Sequence, residues 1–447
     1  MHIDFFLERF RSHPDNEAMI WRDKVYTYRD MLAYVEDDLT KLRKKITTPM
    51  VVSIEADFSP HAASLLLALI ELNCIIVPLT ESVAHKKDEF KDIAQVEATI
   101  KLKSDDTFLF ETEDRTTDHE LITRLKKENH PGLVLFSSGS TGRSKAALHD
   151  FLPLLTKFKV PRKCMRMMTF LLFDHIGGVN TLLYVLSNTG CIITLDSRQP
   201  DAVCEKIEKF KAEVLPTSPS FINLLLLSEA YKNHDLSSLK MVTYGTEAMP
   251  ESTLKRFHEI LPDVKLLQTY GLSEIGIMRS KSLSSDSLWV KIGGEDFQTR
   301  VVDGLLEIKA KSAMLGYLNA PSPFTEDGWF KTGDEVLVDG EYFRILGRRS
   351  EMINVGGQKV FPAEVESVIQ EMDGVEDVAV SGEANPMLGN IVKARVKLAD
   401  DETSSDFKKR MRAFCKGKLE SFKVPQKVEL IDHMMTGERF KKMRREE

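Results

Sequence analysis

Cysteine is sparse in this 447-residue chain, and the five copies, Cys74, Cys164, Cys191, Cys204 and Cys415, lie far apart. No CxxC pair and no Cys/His spacing marks a zinc site or a disulfide framework, so reduced thiols are expected. Long apolar runs are lacking too. The most apolar stretch, 62–79, is interrupted by Glu71 and Asn73, and its second half, Cys74-Ile75-Ile76-Val77, reads as a strand. A helix followed by a buried strand is expected there, with no membrane span. Positions 1–11 mix acids, bases and aromatics where a secretory leader needs an apolar core, and a cytoplasmic location is the expectation. Charge of one sign is missing as well. The 61 basic and 68 acidic residues are mixed along the chain to a net −7, which argues against nucleic acid as a partner. The one basic cluster, Arg439 to Arg445 with Lys441 and Lys442, reads by itself as a solvated or partner-facing tail. Gly-Lys followed by Ser or Thr, the ending of a Walker A loop, never occurs.

What is present is the composition of a multidomain globular protein: 42% hydrophobic and 29% charged residues, at a length that suggests about three domain-sized units. Ala18 to Tyr26 reads as a short hairpin. Thr27 and Asp30 then stand at capping-box spacing ahead of a helix. Strand-like runs at 51–54, 74–77, 133–136, 169–173, 191–195, 214–216, 241–244 and 265–267 alternate with helix-length segments, the rhythm of largely parallel sheets flanked by helices. From about Leu288 short strands and Asp-Gly turns take over, at Asp303-Gly304 and Asp339-Gly340, where tight hairpins are favoured. After a boundary near 346–351, helices at 361–372 and 406–419 and strands at 375–380, 391–398 and 428–431 form another α+β pattern. The expected fold is therefore α/β. A large N-terminal domain over 1–348 includes a β-rich subdomain at about 288–346, and a small α+β lid covers 349–447.

The sharpest local signal is the apolar run Leu133-Val134-Leu135-Phe136 opening into Ser137, Ser138, Gly139, Ser140, Thr141, Gly142, Arg143, Ser144 and Lys145. Glycine lets backbone N–H groups approach an anion, hydroxyls donate to phosphate oxygens and lysine offsets charge. On the loop alone, phosphate binding and a Ser/Gly linker both stay open. Four further motifs follow in order: Tyr244-Gly245-Thr246-Glu247, Gln268-Thr269-Tyr270-Gly271-Leu272-Ser273-Glu274, Gly328-Trp329-Phe330-Lys331-Thr332-Gly333-Asp334, and Gly347-Arg348 leading to 354–366. Together with the loop they resemble the adenylate-forming superfamily of acyl-CoA synthetases, peptide-synthetase adenylation domains and beetle luciferases. The likeness to a stand-alone AMP-forming acyl-CoA synthetase is closest.

That resemblance implies a role for each position. Ser137, Ser138, Gly139, Ser140, Thr141, Gly142 and Lys145 would hold the β- and γ-phosphates of ATP, and Glu274 would hold Mg²⁺, a hard ion that prefers oxygen ligands. Ser273 stands where the family usually has threonine and would donate to the α-phosphate. Gly245, Thr246, Glu247, Thr269, Tyr270 and Gly271 would form the adenine slot, the tyrosine giving a stacking face. Asp334 and Arg348 would meet the ribose. His175 would stand by the acyl carboxylate as a catalytic residue, while Asp174 reads either as a hint of an amine-bearing acid or as a structural aspartate. Ser350 would be the hinge of the small domain, at a position where the family has Asp or Lys. The family's adenylation lysine follows a glycine near the end of the chain. Here Glu438 follows Gly437, so Lys441 or Lys442 is expected to act as the catalytic cation.

The implied chemistry begins from a poor acyl donor. A carboxylate would have to expel oxide, so its oxygen is first converted to AMP, and an anionic acid must then attack an anionic triphosphate. The expected function is ATP-dependent formation of an acyl-adenylate from a small carboxylic acid, as in fatty acid metabolism. Transfer to the thiol of coenzyme A or of an acyl carrier protein's phosphopantetheine arm follows. Two alternatives stay open: an amino-acid or aryl-acid activator of a peptide-synthetase pathway, for which Asp174 speaks, and a catalytically weak ATP- or acyl-adenylate-binding sensor or partner protein, for which Glu438 speaks.

Overall fold

The computed structural model describes residues 1–138, 144–294, 296–435, 437 and 440–444. Two seven-stranded sheets dominate the first half. One runs, in spatial order, Gly316–Tyr317, Ser144–Asp150, Gly132–Ser138, Ile75–Leu79, Val51–Glu55, Ala98–Leu102 and Phe108–Thr112. Its middle four strands are parallel and both margins antiparallel. The other runs Lys265–Gln268, Met241–Tyr244, Val214–Thr217, Arg166–Met168, Cys191–Ile193, Glu17–Trp21 and Lys24–Thr27. Every pair in it is parallel except the terminal hairpin. Helices Pro60–Glu71 and Ile176–Ser187 share one core with Val52, Ile54 and Ile76 of the first sheet and Met19 and Ile192 of the second. Apolar on nearly every side, they are sandwiched between sheets, as helices without a polar face must be.

Local sequence explains several element ends. Thr27 accepts from the Asp30 amide at 3.3 Å and the Asp30 carboxylate accepts from the Thr27 amide at 2.7 Å, so the capping box forms ahead of helix Tyr28–Arg43. The expected strand at 169–173 is instead Arg166–Met168. The Thr169 amide makes a last bond to the Ile193 carbonyl, and the chain then leaves the ladder. Gly178 of the next helix packs so tightly there that a Cβ would lie 1.9 Å from the Leu172 oxygen.

The β-rich part begins earlier than the sequence suggests. It is a six-stranded antiparallel sheet, Arg279–Ser282, Trp289–Gly293, Tyr342–Arg348, Phe330–Asp339, Leu305–Ala310 and Phe297–Val302. Val302 pairs with Leu305 across Asp303 and Gly304, both at positive φ (51° and 77°), the primed turn that matches strand twist. From Ile353 a separate core forms around Val365, Ile369, Val378, Val396, Phe407 and Met411, where helices Pro362–Gln370 and Ser404–Cys415 cover the strands Val375–Asn385 and Gly389–Leu398.

One buried polar cluster sits in the first core. Asp38 is fully buried, accepts from the Ser64 hydroxyl at 2.5 Å and lies 3.9 Å from His61, whose other ring nitrogen is 3.6 Å from Asp106. Burial pushes the Asp38 carboxyl up to about 6, against the smaller opposing effects of Ser64 and His61. The folded state thus holds this proton more tightly than the unfolded chain does, so stability falls as pH rises from about 4 through about 6, by up to about 3 kcal/mol. His61 is also raised, burial being outweighed by Asp106 and Asp38, and its contribution is lost in the same direction at higher pH. Asp38→Asn should therefore show a smaller fall in melting temperature between pH 4.5 and pH 7 than the parent. Parallel pH slopes for the two proteins would refute this.

Candidate active site

The phosphate-loop motif forms the connection between the antiparallel strands Gly132–Ser138 and Ser144–Asp150, with Ser137 opposite Lys145. Gly139, Ser140, Thr141 and Gly142 lie outside the described residues, and Ser138 is described in its backbone alone. Lys145 stands on the returning strand. Asn319 splints that strand, its Oδ1 accepting from the Ala146 amide and its Nδ2 donating to the Ser144 carbonyl, both at 2.9 Å. The Lys145 ammonium lies 5.2 Å over the Tyr317 ring, and the Tyr317 hydroxyl donates to Glu274 Oε1 at 2.7 Å. Sequence reading missed Tyr317. Its only local signal is an aromatic after Gly316, in a two-residue strand too short to show periodicity.

Glu274 has no lysine or arginine within ion-pair distance among the described residues, where no group of three or more metal-ligating side chains gathers either. A single carboxylate that shares Tyr317 with Lys145 would suit Mg²⁺, which is held through one or two carboxylates and completes its shell with phosphate oxygens and water.

The adenine-slot motifs meet at two adjoining parallel strand ends. Thr269 donates to the Tyr244 carbonyl through its amide (2.7 Å) and its hydroxyl (3.0 Å). Gly245 faces it so closely that a Cβ would lie 2.8 Å from the Thr269 carbonyl oxygen and 2.9 Å from its Oγ1. Thr246 follows at φ 75°, left-handed backbone that a β-branched residue rarely adopts. Gly271 is equally confined, with the Gly276 oxygen 2.8 Å from its Cβ position. Glu247, the last residue of the first motif, reaches two other segments. Its Oε1 accepts from the amide (2.9 Å) and hydroxyl (2.5 Å) of Ser220, and its Oε2 accepts from the Lys442 amide at 3.0 Å.

Tyr270, Asp334 and Arg348 converge. Asp334 and Arg348 are cross-strand partners, with Nε 3.5 Å from Oδ1, and the Tyr270 hydroxyl donates to Asp334 Oδ2. Burial pushes the Asp334 carboxyl up despite Arg348 and Tyr270, and burial with Asp334 alongside pushes the Tyr270 phenol far above its ordinary value. Arg348 lies within electrostatic reach of Asp334 and Glu274, which joins this group to Glu274, Tyr317 and Lys145. His175 caps helix Ile176–Ser187, its Nδ1 accepting from the Gly177 amide at 3.0 Å, and the neighbouring Asp174 is buried.

The tail crosses this region. Phe440 packs its ring 5.2 Å from Phe170 and 5.7 Å from Phe221, and its carbonyl accepts from Ser218 Oγ at 2.7 Å. The Lys442 ammonium donates to the Val378 carbonyl at 2.7 Å and lies 3.4 Å from buried Asp377, so this lysine faces into the small domain, contrary to the expected role at the phosphates. Arg444 makes a two-pronged pair with Glu366 at 2.9 and 2.8 Å and reaches Glu351 at 2.8 Å. Burial opposes the Glu366 charge, yet Arg444 and Lys442 pull this carboxyl below the ordinary glutamate value. Glu438 lies outside the described residues. A cavity of about 740 Å³ opens elsewhere, lined by residues such as Phe5, Leu155, Lys157 and Phe297, and holds none of the side chains above.

Two family models match the chain: "AMP-binding enzyme" over residues 6–301 and "AMP-binding enzyme C-terminal domain" over 364–441. Among similar proteins is the indoleacetate–CoA ligase of Aromatoleum aromaticum, 26% identical over 330 residues, 68% of this chain and 64% of that protein. Another is a long-chain-fatty-acid–CoA ligase of Haemophilus influenzae, 28% identical over 275 residues, 57% of this chain and 48% of that protein. The matched stretches thus span less than two thirds of these relatives. The o-succinylbenzoate CoA synthetase of Bacillus subtilis, solved with its acyl-adenylate intermediate, superposes with a TM-score of 0.77 at 18% identity, over 99% of this chain and 97% of that one, a likeness of fold.

Gly245→Ala should lower the melting temperature, because the new methyl meets a backbone oxygen that cannot step aside; about 1–3 kcal/mol is expected for such overpacking. An unchanged melting curve would show that the two strand ends do not approach this closely.

Proposed function

The chain belongs to the AMP-binding enzyme family, and from that we propose that it is an AMP-forming acid–thiol ligase, activating a carboxylic acid with ATP and passing the acyl group to coenzyme A. A carrier-protein phosphopantetheine is the other acceptor of the same chemistry. The observation that carries this reading is the convergence of Lys145 and Glu274 on Tyr317, with Arg348 linking Glu274 electrostatically to the Asp334–Tyr270 pair.

Each part has a physical task. Lys145 offsets charge on the β- and γ-phosphates together with Ser137, Ser138, Gly139, Ser140, Thr141 and Gly142, and Ser273 donates to the α-phosphate. Mg²⁺ on Glu274 would further neutralise the phosphate oxygens. Asp334 accepts from the ribose hydroxyls with Arg348 beside it, while Gly245, Thr246, Thr269, Tyr270 and Gly271 shape the adenine slot. Glu247 serves that slot from behind, by fixing Ser220 and the tail. His175 borders the acyl carboxylate at the start of its helix. Ser350, within the 3₁₀ turn Arg349–Glu351 that joins the two domains, is the pivot on which the small domain exchanges its adenylating pose for its thioester-forming one. The relatives' names span indoleacetate and long-chain fatty acids, so the class proposed for the acid is simply a carboxylic acid.

The adenylation cation is assigned to Lys441, next to Phe440, where the tail lies against the large domain, whereas Lys442 faces Asp377 of the small domain. Lys441→Ala should depress acyl-adenylate formation while sparing thioester formation from preformed adenylate, since the need for this charge ends once the adenylate exists. Lys442→Ala should instead lower thermal stability, leaving Asp377 with less compensation in a buried place. Parent-rate adenylation by Lys441→Ala would remove that lysine from the mechanism.

Lys145→Ala and Glu274→Gln should each cut acid-dependent pyrophosphate release by about two to three orders of magnitude with little change in melting temperature, as both act on phosphate charge and not on packing. Assays across fatty, aryl and amino acids would identify the acid at the same time. Near-normal turnover of both variants would sink the proposed ATP site.

A further inference from the structure

The strand that returns from the phosphate loop carries one more polar side chain. His149 is fully buried in it, four residues beyond Lys145, and its Nε2 donates to the Ser273 carbonyl at 2.5 Å across a sequence separation of 124 residues. Alternation along a strand places Lys145, Ala147 and His149 on one face of the sheet. Tyr317 pairs directly with Ala147, which puts its side chain on that face too. The segment Ser273–Glu274 rides over this face and is gripped at three points. Tyr317 donates to the Glu274 carboxylate, the Met314 amide donates to the Glu274 carbonyl at 2.7 Å, and His149 holds the carbonyl of the peptide that joins Ser273 to Glu274.

We propose that His149 is a positioning residue that sets the Glu274 carboxylate at a fixed distance from Lys145, through its hydrogen bond to the Ser273 carbonyl. This rests on the roles given above to Lys145 and Glu274. An apolar side chain would fill the same space without the cost of desolvating an imidazole. What it would not supply is the bond to Ser273. An imidazole, neutral or charged, can present an Nε2–H to that carbonyl. Lys145 and His149 belong to the same strand, so the phosphate-binding lysine and the hold on the metal carboxylate share one rigid element. A displacement of about 1 Å between such groups is enough to cost a reaction about a hundredfold.

The test measures acid-dependent pyrophosphate release against Mg-ATP concentration, thioester formation from preformed acyl-adenylate, and melting temperature. The variants are His149→Phe, His149→Leu and His149→Gln, with Glu274→Gln as reference. The Phe and Leu variants should adenylate about tenfold or more slowly and need several-fold more Mg-ATP for half-saturation, with the thioester step within about twofold of the parent. His149→Gln, which restores a donor, should recover part of the loss. If His149→Phe does not fold, His149→Leu carries the comparison. A parent-like Mg-ATP dependence in the apolar variants, or equal loss of both half-reactions in step with a fallen melting temperature, would overturn the proposal. Parent-like adenylation by Glu274→Gln would overturn the reading of the site itself, and is distinguishable because it needs no change at His149.

Discussion

In the reaction proposed above, bringing like charges together is the central constraint. A carboxylate would have to approach a triphosphate, which calls for lysine, arginine, hydroxyls and a carboxylate able to take a metal where the repulsion is greatest. No single element supplies them. Lys145 comes from the first sheet, Gly245 and Thr269 from the ends of two strands of the second, and Asp334 and Arg348 from the antiparallel sheet. The sheets meet where their loops converge, and hydrogen bonds such as Tyr317 to Glu274 and Tyr270 to Asp334 fasten one to the next. Precision therefore resides in the seams, while the apolar cores lie behind them, one of them shared by the two seven-stranded sheets.

Much of this organisation is local enough to be legible in the sequence. The capping box at Thr27 and Asp30, the turn at Asp303-Gly304 and the strand at Met241–Tyr244 each follow from a few neighbouring residues. The motifs carrying the candidate site are contiguous in the same way. What escaped depends on contacts that no short window holds. Tyr317 reaches Glu274 over 43 residues, and the Lys442 amide reaches Glu247 over 195. Lys442 looked available for phosphate because its partner Asp377 lies in another strand, 65 positions earlier by their numbers. The strand expected at 169–173 failed for a related reason. Apolar character marks Phe170 and Phe173 as buried, but whether the chain stays on the ladder is decided by the helix at Gly178.

The tail shows how charge and packing divide their labour. Arg444 and Lys442 hold the chain's end to the small domain through Glu366, Glu351 and Asp377, buried or half-buried pairs whose breakage is costly because a partner is stranded. Contact with the large domain is of another kind, and among the described residues it includes the Phe440 ring against Phe170, Phe221 and Arg198, the hydroxyl bond from Ser218 and the Glu247 carboxylate. The firm attachment travels with the small domain. The lighter one is the contact that would give way in the domain rotation proposed above.

Phe440 gives this arrangement a thermodynamic meaning. Its ring completes an aromatic cluster with Phe170 and Phe221, residues that belong to the core of the second sheet. Withdrawing the ring uncovers apolar surface on Phe170 and Phe221, so the two domains share part of one hydrophobic free energy. Heat or denaturant that loosens the small domain therefore also weakens the sheet beneath the ring, and the last turn of the chain couples the melting of both.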